Sequence, residues 1–260
     1  TSVAPQVCPV FHTEYTWIPG KSPPPLGMFA VNLFSGAPRH QDISWWIEQL
    51  LPFREKVNPS KVLTSQMGVG GCTVEHLEII NIDTCIGGKQ HDLLDSCIVQ
   101  AVLQLIDSPE CVSVLMGPVC SLYCALRFDQ PGPQPFFTLD EPNGVTLATP
   151  EMAEKIREAI RMATIVAEII SHCTARSVPC LVEQPVGRNR HSSNPIAGRE
   201  LHSTLWETTP MAEVWYRCRM WLFEFDMGAF GARTQKTTEL RVNNVAARVT
   251  HMLFSGRHCW

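Results

Sequence analysis

The sequence predicts an α/β protein: a doubly wound, mostly parallel sheet with helices on both faces. Short apolar runs alternate along the chain with longer amphipathic stretches, which is the pattern of parallel strands covered by helices. Apolar residues make up 45% of the 260 residues and charged residues 18%, so a sizeable core can form and global disorder is excluded. The chain lacks an apolar run long enough for a membrane-spanning helix, so none is predicted.

The predicted strands are short apolar runs that end at polar or glycine-rich turns. They cover 29–33, 74–82, 112–116, 178–182, 221–225 and 238–242. Helices are predicted over 42–51 and 93–106, and the clearest helix begins after Thr149. There a threonine can cap the helix, a proline takes the first helical position and Glu151 favours the positive end of the dipole. An apolar stripe then continues to Ile170.

The domain organisation follows from composition. Residues 1–27 are predicted to be a proline-rich N-terminal arm, and residues 28–260 a single domain. Within this domain, 54–73 read as a polar, glycine-rich insertion and 186–220 as a loop or insertion. The first 27 residues lack the apolar core of a secretory signal, which leaves an arm, a linker or the remainder of a cleaved targeting peptide.

Charge restricts the possible partners. The formal net charge is −4, but residues 1–150 carry 7 basic and 14 acidic side chains, whereas residues 151–260 carry 14 and 11. An isoelectric point near 6.1 is not typical of a tight nucleic-acid binder. We therefore expect any polyanion to meet the second half, where Arg188 and Arg190 cluster, although an ordinary solvated loop explains that cluster as well.

The eleven cysteines are odd in number, irregularly spaced and without a CxxC pair, and most lie in apolar runs. Buried thiols behave as small hydrophobes, so this usage favours an intracellular, reducing compartment over a disulfide framework. Nucleus and organelle stay open. The spacings indicate no metal site.

Three polar motifs follow predicted strands, where open α/β sheets bind ligands. The first is the turn Phe34-Ser35-Gly36, with Asp83 after the next strand and Asp92 beyond it. A glycine turn lets backbone amides approach a ligand, a carboxylate can hold ribose hydroxyls, and Asp92 can lie near an adenine. The alternative is an ordinary turn with surface aspartates.

The second motif, 117–121, presents Cys120 on a loop after a strand, as for a nucleophile; its thiolate needs nearby positive charge, for which Arg127 is the candidate. A buried apolar thiol is the alternative. The third motif is Glu183-Gln184-Pro185. A carboxylate at this place can protonate or hydrogen-bond a heteroaromatic base, or else cap a helix or form a salt bridge.

The order of these motifs resembles the S-adenosylmethionine-dependent methyltransferases that modify carbon 5 of cytosine. It resembles more closely a divergent methyltransferase-like domain of mobile elements and polyproteins in algae and other protists. The resemblance covers about 29–260 and rests on the segments 31–36, 82–83, 91–95, 117–121, 125–127, 130–135, 182–185 and 230–238.

The resemblance implies a Rossmann-like methyltransferase sheet and a mechanism. The target base is flipped out of its stack, Cys120 attacks carbon 6, and Glu183 stabilises the protonated ring nitrogen before methyl transfer. The residues implied to bind S-adenosylmethionine are Phe34, Ser35, Gly36, Asp83, Asp92 and Pro118. Those implied to contact DNA are Ser121, Arg127, Arg188, Arg190 and Lys236.

Several positions depart from the family pattern, including Val119, Gln184 and Cys124. An altered cysteine loop and an acidic first half also suit a catalytically inactive domain that serves as a scaffold subunit of a larger complex, possibly organellar, with protein partners. The tryptophan-rich stretch 206–221 and the proline-rich arm are then docking surfaces. Ordinary core packing is the alternative for those tryptophans, and both functions stay open.

Overall fold

The computed structural model describes residues 11–15, 17–19, 28–34, 76–123, 134–186, 202–226 and 237–247. These residues form an α/β fold with a single sheet of seven strands. The strands are β1 (Phe11–Tyr15), β2 (Met28–Leu33), β3 (His76–Ile82), β4 (Cys111–Met116), β5 (Cys180–Pro185), β6 (Trp221–Asp226) and β7 (Thr237–Val242). The six strands predicted from the sequence are confirmed, with shifts of a few residues at their ends.

Four α-helices with complete bounds occur in the described residues: α1 (Thr84–Gly87), α2 (Ser96–Asp107), α3 (Pro150–Ala175) and α4 (Thr209–Arg217). Helix α3 begins as predicted, because the Thr149 side chain accepts a hydrogen bond from the Met152 N–H at 3.2 Å. Residues 244–247 are helical as well. The predicted helix 42–51 and the insertion 54–73 lie outside the described residues.

The sheet is mostly parallel and has the order β1-β3-β2-β4-β5-β7-β6. The pairs β1–β3, β2–β3, β2–β4 and β4–β5 are parallel, whereas β7 runs antiparallel to both of its neighbours. From β2 the chain continues to β3 on one side and later to β4 on the other. The gap between the ends of β2 and β4 is therefore the topological switch point of the sheet.

Both faces of the central strands are buried, which is the condition that makes parallel strands nearly continuous apolar runs. Phe29, Val31 and Leu33 of β2 belong to the large core packed under α2, α3 and α4, while Ala30 and Asn32 are buried on the opposite face. At the other end of the sheet, a small second cluster joins Val242 to the helical residues Ala246 and Ala247.

The predicted N-terminal arm at 1–27 is corrected by the structure. Phe11–Tyr15 forms the edge strand β1, in parallel register with His76–Ile80 of β3. Trp17 is buried in the main core. Sequence reasoning missed this strand because one short run beside prolines does not show the alternation of apolar and polar residues that identifies a strand.

The predicted loop or insertion 186–220 is also corrected over its described part, which contains α4 and a short 3-10 helix at Leu205–Glu207. Trp206 is buried and Trp215 packs against the core, so core packing explains these two tryptophans. Trp221 differs, since 53% of its surface is exposed.

A buried ion pair within β7 packs against two tryptophans, one of them in α4. The Nε atom of Arg241 lies 3.2 Å from a carboxylate oxygen of Glu239, and both side chains are buried. The guanidinium carbon of Arg241 lies 4.2 Å from the ring centre of Trp206 and 3.6 Å from that of Trp215. Cation–π contacts with two indoles therefore support a cation removed from water.

Helices within the described residues include none that is both long and apolar enough to cross a membrane. The cysteines described in the structure carry free thiols; they are Cys85, Cys97, Cys111, Cys120, Cys173, Cys180 and Cys218.

Candidate functional site

The carboxyl ends of β2, β3 and β4 meet at one edge of the sheet. Leu33 is in register with Ile82 on one side and with Met116 on the other. Beyond the strands, the Phe34 N–H donates to the Ile82 carbonyl at 3.0 Å, and the Gly117 N–H donates to the Leu33 carbonyl at 3.1 Å. The first two predicted motifs therefore begin beside each other at the switch point.

Phe34 turns the chain sharply at the end of β2. Its φ is +62°, in the left-handed region, where a bulky side chain is an outlier that costs roughly 1–3 kcal/mol. The side chain is half-buried and packs against the main core, which offsets this cost. Ser35 and Gly36, the other members of the predicted turn, lie outside the described residues.

Asp83 follows β3 and caps α1, because its carboxylate accepts a hydrogen bond from the Cys85 N–H at 2.6 Å. Its own N–H donates to Nδ1 of His91 at 3.2 Å. The neutral ring must then carry its proton on Nε2, and this nitrogen donates to the Trp17 carbonyl at 2.6 Å. His91 thus braces Asp83 against the segment that follows β1.

His91 also explains a glycine. A β-carbon added to Gly87 would overlap the His91 imidazole, so only glycine fits at the end of α1. Sequence reasoning noticed His91 beside Asp92 but gave it no role. In the structure His91 is 1% exposed, and both of its ring nitrogens form hydrogen bonds with backbone groups.

Asp92 is half-buried and follows His91 directly. Its carboxylate accepts a hydrogen bond from the Leu94 N–H at 3.0 Å, a local turn that leads into α2. The hydrogen bonds of the His91 ring hold the segment just before Asp92 next to the backbone of Asp83, at the end of β3. Sequence reasoning predicted this grouping, but not the turn that uses the carboxylate.

The second motif forms the loop after β4. Pro118 is buried, Val119 is 65% exposed, Cys120 is half-buried and Ser121 is exposed. A short 3-10 helix follows, in which the Tyr123 N–H donates to the Cys120 carbonyl at 3.0 Å. The cysteine thus lies between a strand end and a helical turn. Arg127, the predicted source of positive charge, lies outside the described residues.

Tyr123 anchors the far end of this loop. Its ring stacks on Phe137 with 4.5 Å between centroids, and its carbonyl accepts a 2.6 Å hydrogen bond from Nε2 of His202. Burial raises the pKa of the Tyr123 hydroxyl well above its usual range. The hydroxyl therefore stays protonated, and the residue acts as a fixed, neutral anchor.

Gln184 anchors the near end. The Gln184 side-chain amide donates to the Pro118 carbonyl at 2.6 Å, and both residues are buried. The cysteine loop is therefore tied to β5 two residues before Cys120. In the sequence, Gln184 stands out only as a departure from the family pattern. The signal that could have identified it is a glutamine side chain at a position that the alternation of the strand predicts to be buried.

Glu183 lies on the opposite face of β5 from Gln184, because neighbouring residues of a strand point to opposite sides. It is half-buried and in register with Leu240 of β7. Met116, the last residue of β4, is in register with Val182, so Glu183 lies within β5 at the level where the cysteine loop begins. The structure therefore brings Phe34, Asp83, Cys120 and the end of β5 to one edge of the sheet.

Four predicted DNA-contacting residues lie outside the described residues: Arg127, Arg188, Arg190 and Lys236. In the part of the chain that the structure describes, no group of three or more His, Cys, Asp or Glu side chains is arranged to hold a metal ion. No family model, curated protein or solved structure matches the chain.

Proposed function

We propose that the protein is an S-adenosylmethionine-dependent methyltransferase acting on cytosine in DNA through Cys120. The observation that carries the proposal is the edge of the sheet where the Phe34 turn, Asp83 and the Cys120 loop meet, joined by the hydrogen bonds from Gly117 to Leu33 and from Gln184 to Pro118. Ligands of open α/β sheets bind at such a switch point.

The topology of the sheet gives independent support. The resemblance implies a doubly wound, mostly parallel sheet, and the described sheet is α/β and mostly parallel. Here β7 lies between β5 and β6 and runs antiparallel to both. Strand β2, which borders the switch point, leads directly into Phe34.

Two features of the edge support the cofactor part of the proposal. Phe34 in the left-handed region gives a sharp turn beside Gly117, and Asp83 and Asp92 supply carboxylates next to that turn. These residues and the buried Pro118 would hold S-adenosylmethionine, with Ser35 and Gly36 as the resemblance implies. When bound, the cofactor supplies the methyl group.

The chain's own residues supply the activation of the base. The Cys120 thiolate forms a bond to carbon 6 of a flipped-out cytosine, and the electron pair of the 5,6 double bond moves to carbon 5. Glu183 hydrogen-bonds the ring nitrogen that becomes protonated. Carbon 5 would use this electron pair to take the methyl group, with S-adenosylhomocysteine as the leaving group. Loss of the carbon 5 proton to water then expels the Cys120 thiolate and restores the 5,6 double bond.

A covalent trap tests the proposal. Labelled S-adenosylmethionine and DNA containing 5-fluorocytosine are expected to give a stable protein–DNA adduct, because fluorine prevents loss of the group at carbon 5. Cys120→Ala should abolish the adduct, while Cys97→Ala, which removes an exposed thiol at the start of α2, should retain it. Failure of the native chain to form an adduct, or an adduct that survives Cys120→Ala, refutes the proposal.

A second function is a catalytically inactive subunit of a larger complex with protein partners. The specific observation in its favour is that the Asp83 and Asp92 carboxylates accept hydrogen bonds from Cys85 and Leu94 in local turns. For such a protein, S-adenosylmethionine should not change the melting temperature. A bound cofactor at a hundred times its Kd stabilises the native state by about 2.7 kcal/mol, which raises the melting temperature by about 5–10 °C.

A further inference from the structure

The end of α4, the start of β6 and the short connection between them carry four exposed side chains, two arginines flanked by two aromatic residues. We call Tyr216, Arg217, Arg219 and Trp221 the 216–221 surface. Tyr216 is 80% exposed, Trp221 is 53% exposed, and both arginines are exposed. Exposed aromatic rings and arginine side chains are the groups that stack on bases and bind phosphates.

The backbone that supports this surface is fixed. The Met220 N–H donates to the Trp215 carbonyl at 3.2 Å, and the Arg219 N–H donates to the Tyr216 carbonyl at 3.3 Å. Arg219 has a φ of +47°, which reverses the chain between helix and strand. Cys218 and Met220 are buried, whereas Arg217, Arg219 and Trp221 beside them are exposed. The 216–221 surface is therefore presented rigidly.

The position of this surface separates it from the candidate site. Strands β5 and β6 are both antiparallel to β7, so they run in the same direction. Trp221 begins β6 and lies at the amino-terminal edge of the sheet, whereas Cys120 follows β4 at the carboxyl-terminal edge. The inference below is therefore independent of methyl transfer.

Charge identifies the partner as an anion. No acidic residue occurs between Glu213 and Glu224, and this interval contains both arginines. The Arg217 guanidinium donates to the neutral hydroxyl of Ser171 at 2.7 Å. Within the described residues neither arginine has a carboxylate within ion-pair distance, so both charges stay available to phosphates.

We infer that the 216–221 surface binds single-stranded nucleic acid, with bases stacked on Tyr216 and Trp221 and phosphates held by Arg217 and Arg219. A single strand presents ring faces and phosphates in alternation, and its binding needs only stacking platforms and cations. A stable protein partner needs about 800 Å² of contact on each side with an apolar centre. Here charges separate the two rings, so such a centre is lacking.

Fluorescence anisotropy with the full chain tests the inference. Labelled 12-nucleotide oligo(dT) and oligo(U) at about 50 mM salt distinguish DNA from RNA as the source of the strand. Tyr216→Ala should weaken binding at least fivefold, since a stacked base contributes about 1 kcal/mol or more. Arg219→Asn removes a charge but keeps a residue that tolerates the left-handed region, and it should lower the salt slope by about 0.7.

Arg157→Gln is the matched control, because Arg157 is an exposed arginine of α3 paired with Glu154 far from this turn. Its affinity should equal that of the native chain. The inference is overturned if Tyr216→Ala and Arg219→Asn both bind the oligonucleotides with the affinity of the native chain. It is also overturned if duplex DNA binds as tightly as the single strand. Binding of a poly-glutamate peptide without binding of either oligonucleotide also overturns the inference, in favour of an acidic protein partner.

The two proposals fail separately. Cys120→Ala should keep full binding of oligo(dT), and Tyr216→Ala should keep the covalent adduct with 5-fluorocytosine DNA if the strand that reacts is held elsewhere. A chain that binds oligo(dT) but forms no adduct sustains the 216–221 surface and refutes methyl transfer.

Discussion

Removal of the Gln184 amide should release the loop that carries Cys120. The Gln184 side chain donates to the Pro118 carbonyl at 2.6 Å, and the pair is buried, so Gln184→Leu leaves that carbonyl without its donor. A buried polar group that loses its partner costs about 1–3 kcal/mol. In a domain of this size the melting temperature should fall by about 2–10 °C.

Stability alone does not show that the loop moves, so the assay follows Cys120 itself. Alkylation by iodoacetamide, measured at each cysteine by mass spectrometry, should become faster at half-buried Cys120 in Gln184→Leu. Buried Cys173 should not respond, because it lies in the core beyond the loop. A selective change at position 120 would identify Gln184 as a positioning residue.

Asn243 provides the matched control at the opposite end of β5. Its amide donates to the Val178 carbonyl at 2.8 Å and accepts from the Cys180 N–H at 3.1 Å, both in the buried interior. Asn243→Ala should destabilise the fold without faster alkylation of Cys120. If Asn243→Ala speeds alkylation of Cys120 as much as Gln184→Leu does, or if neither variant changes that rate, the hydrogen bond from Gln184 to Pro118 has no positioning role.

Gln184→Glu adds a pH test of the same contact. A protonated carboxyl group can donate to the Pro118 carbonyl, whereas an ionised one cannot, and burial favours the neutral form. The carboxyl pKa in the folded variant is therefore raised above its unfolded value. The variant should be closest to native stability at low pH and lose stability as the pH rises through the folded pKa, as measured by urea denaturation.

Three further predictions concern the fold around the site. Arg241→Met should cost about 3–5 kcal/mol in urea denaturation, because it removes the cation of a buried ion pair together with its contacts to the indoles; Glu239→Leu with Arg241→Met should recover most of that loss, and a double variant no better than the single one would contradict the pairing. Gly87→Ala should cost about 1–3 kcal/mol by pushing against His91, whereas Gln90→Ala at an exposed position nearby should melt near the native temperature; equal losses would refute the steric account. Ser108→Ala should raise the pKa of Glu110, which the Ser108 hydroxyl lowers, so that the Glu110 carboxylate protonates at higher pH in an NMR titration; an unchanged titration would exclude that hydrogen bond.

The sequence was sufficient for elements with a strong local pattern. Helix α3 begins at its predicted cap because Thr149, Pro150 and Glu151 all favour the same boundary. Strand β4 ends directly before a glycine, as predicted, because glycine favours a turn at that point. Strand β1 was not predicted, because a five-residue strand at the edge of the sheet shows no clear alternation of apolar and polar residues.

The candidate site also has a part that the sequence predicts and a part that it does not. The places of Phe34, Asp83 and Cys120 follow from one rule, that parallel strands end at a common edge, and that rule can be applied to a sequence. The groups that hold them in place could not be predicted. His91 joins Trp17 to Asp83, and Gln184 joins β5 to the cysteine loop, through contacts between residues 74 and 66 positions apart, respectively.

These distant contacts bear on the choice between enzyme and scaffold. A scaffold needs the sheet to fold, and the core under α2 and α3 is sufficient for that. It does not need a buried amide aimed at the carbonyl two residues before a cysteine, since an apolar side chain at position 184 would pack in the same core without a polar group to satisfy. Gln184 therefore fixes a loop that the fold alone does not require to be fixed. A rigidly held loop that presents a half-buried thiol is what nucleophilic catalysis requires, because misplacement by about 1 Å can cost about a hundredfold in rate.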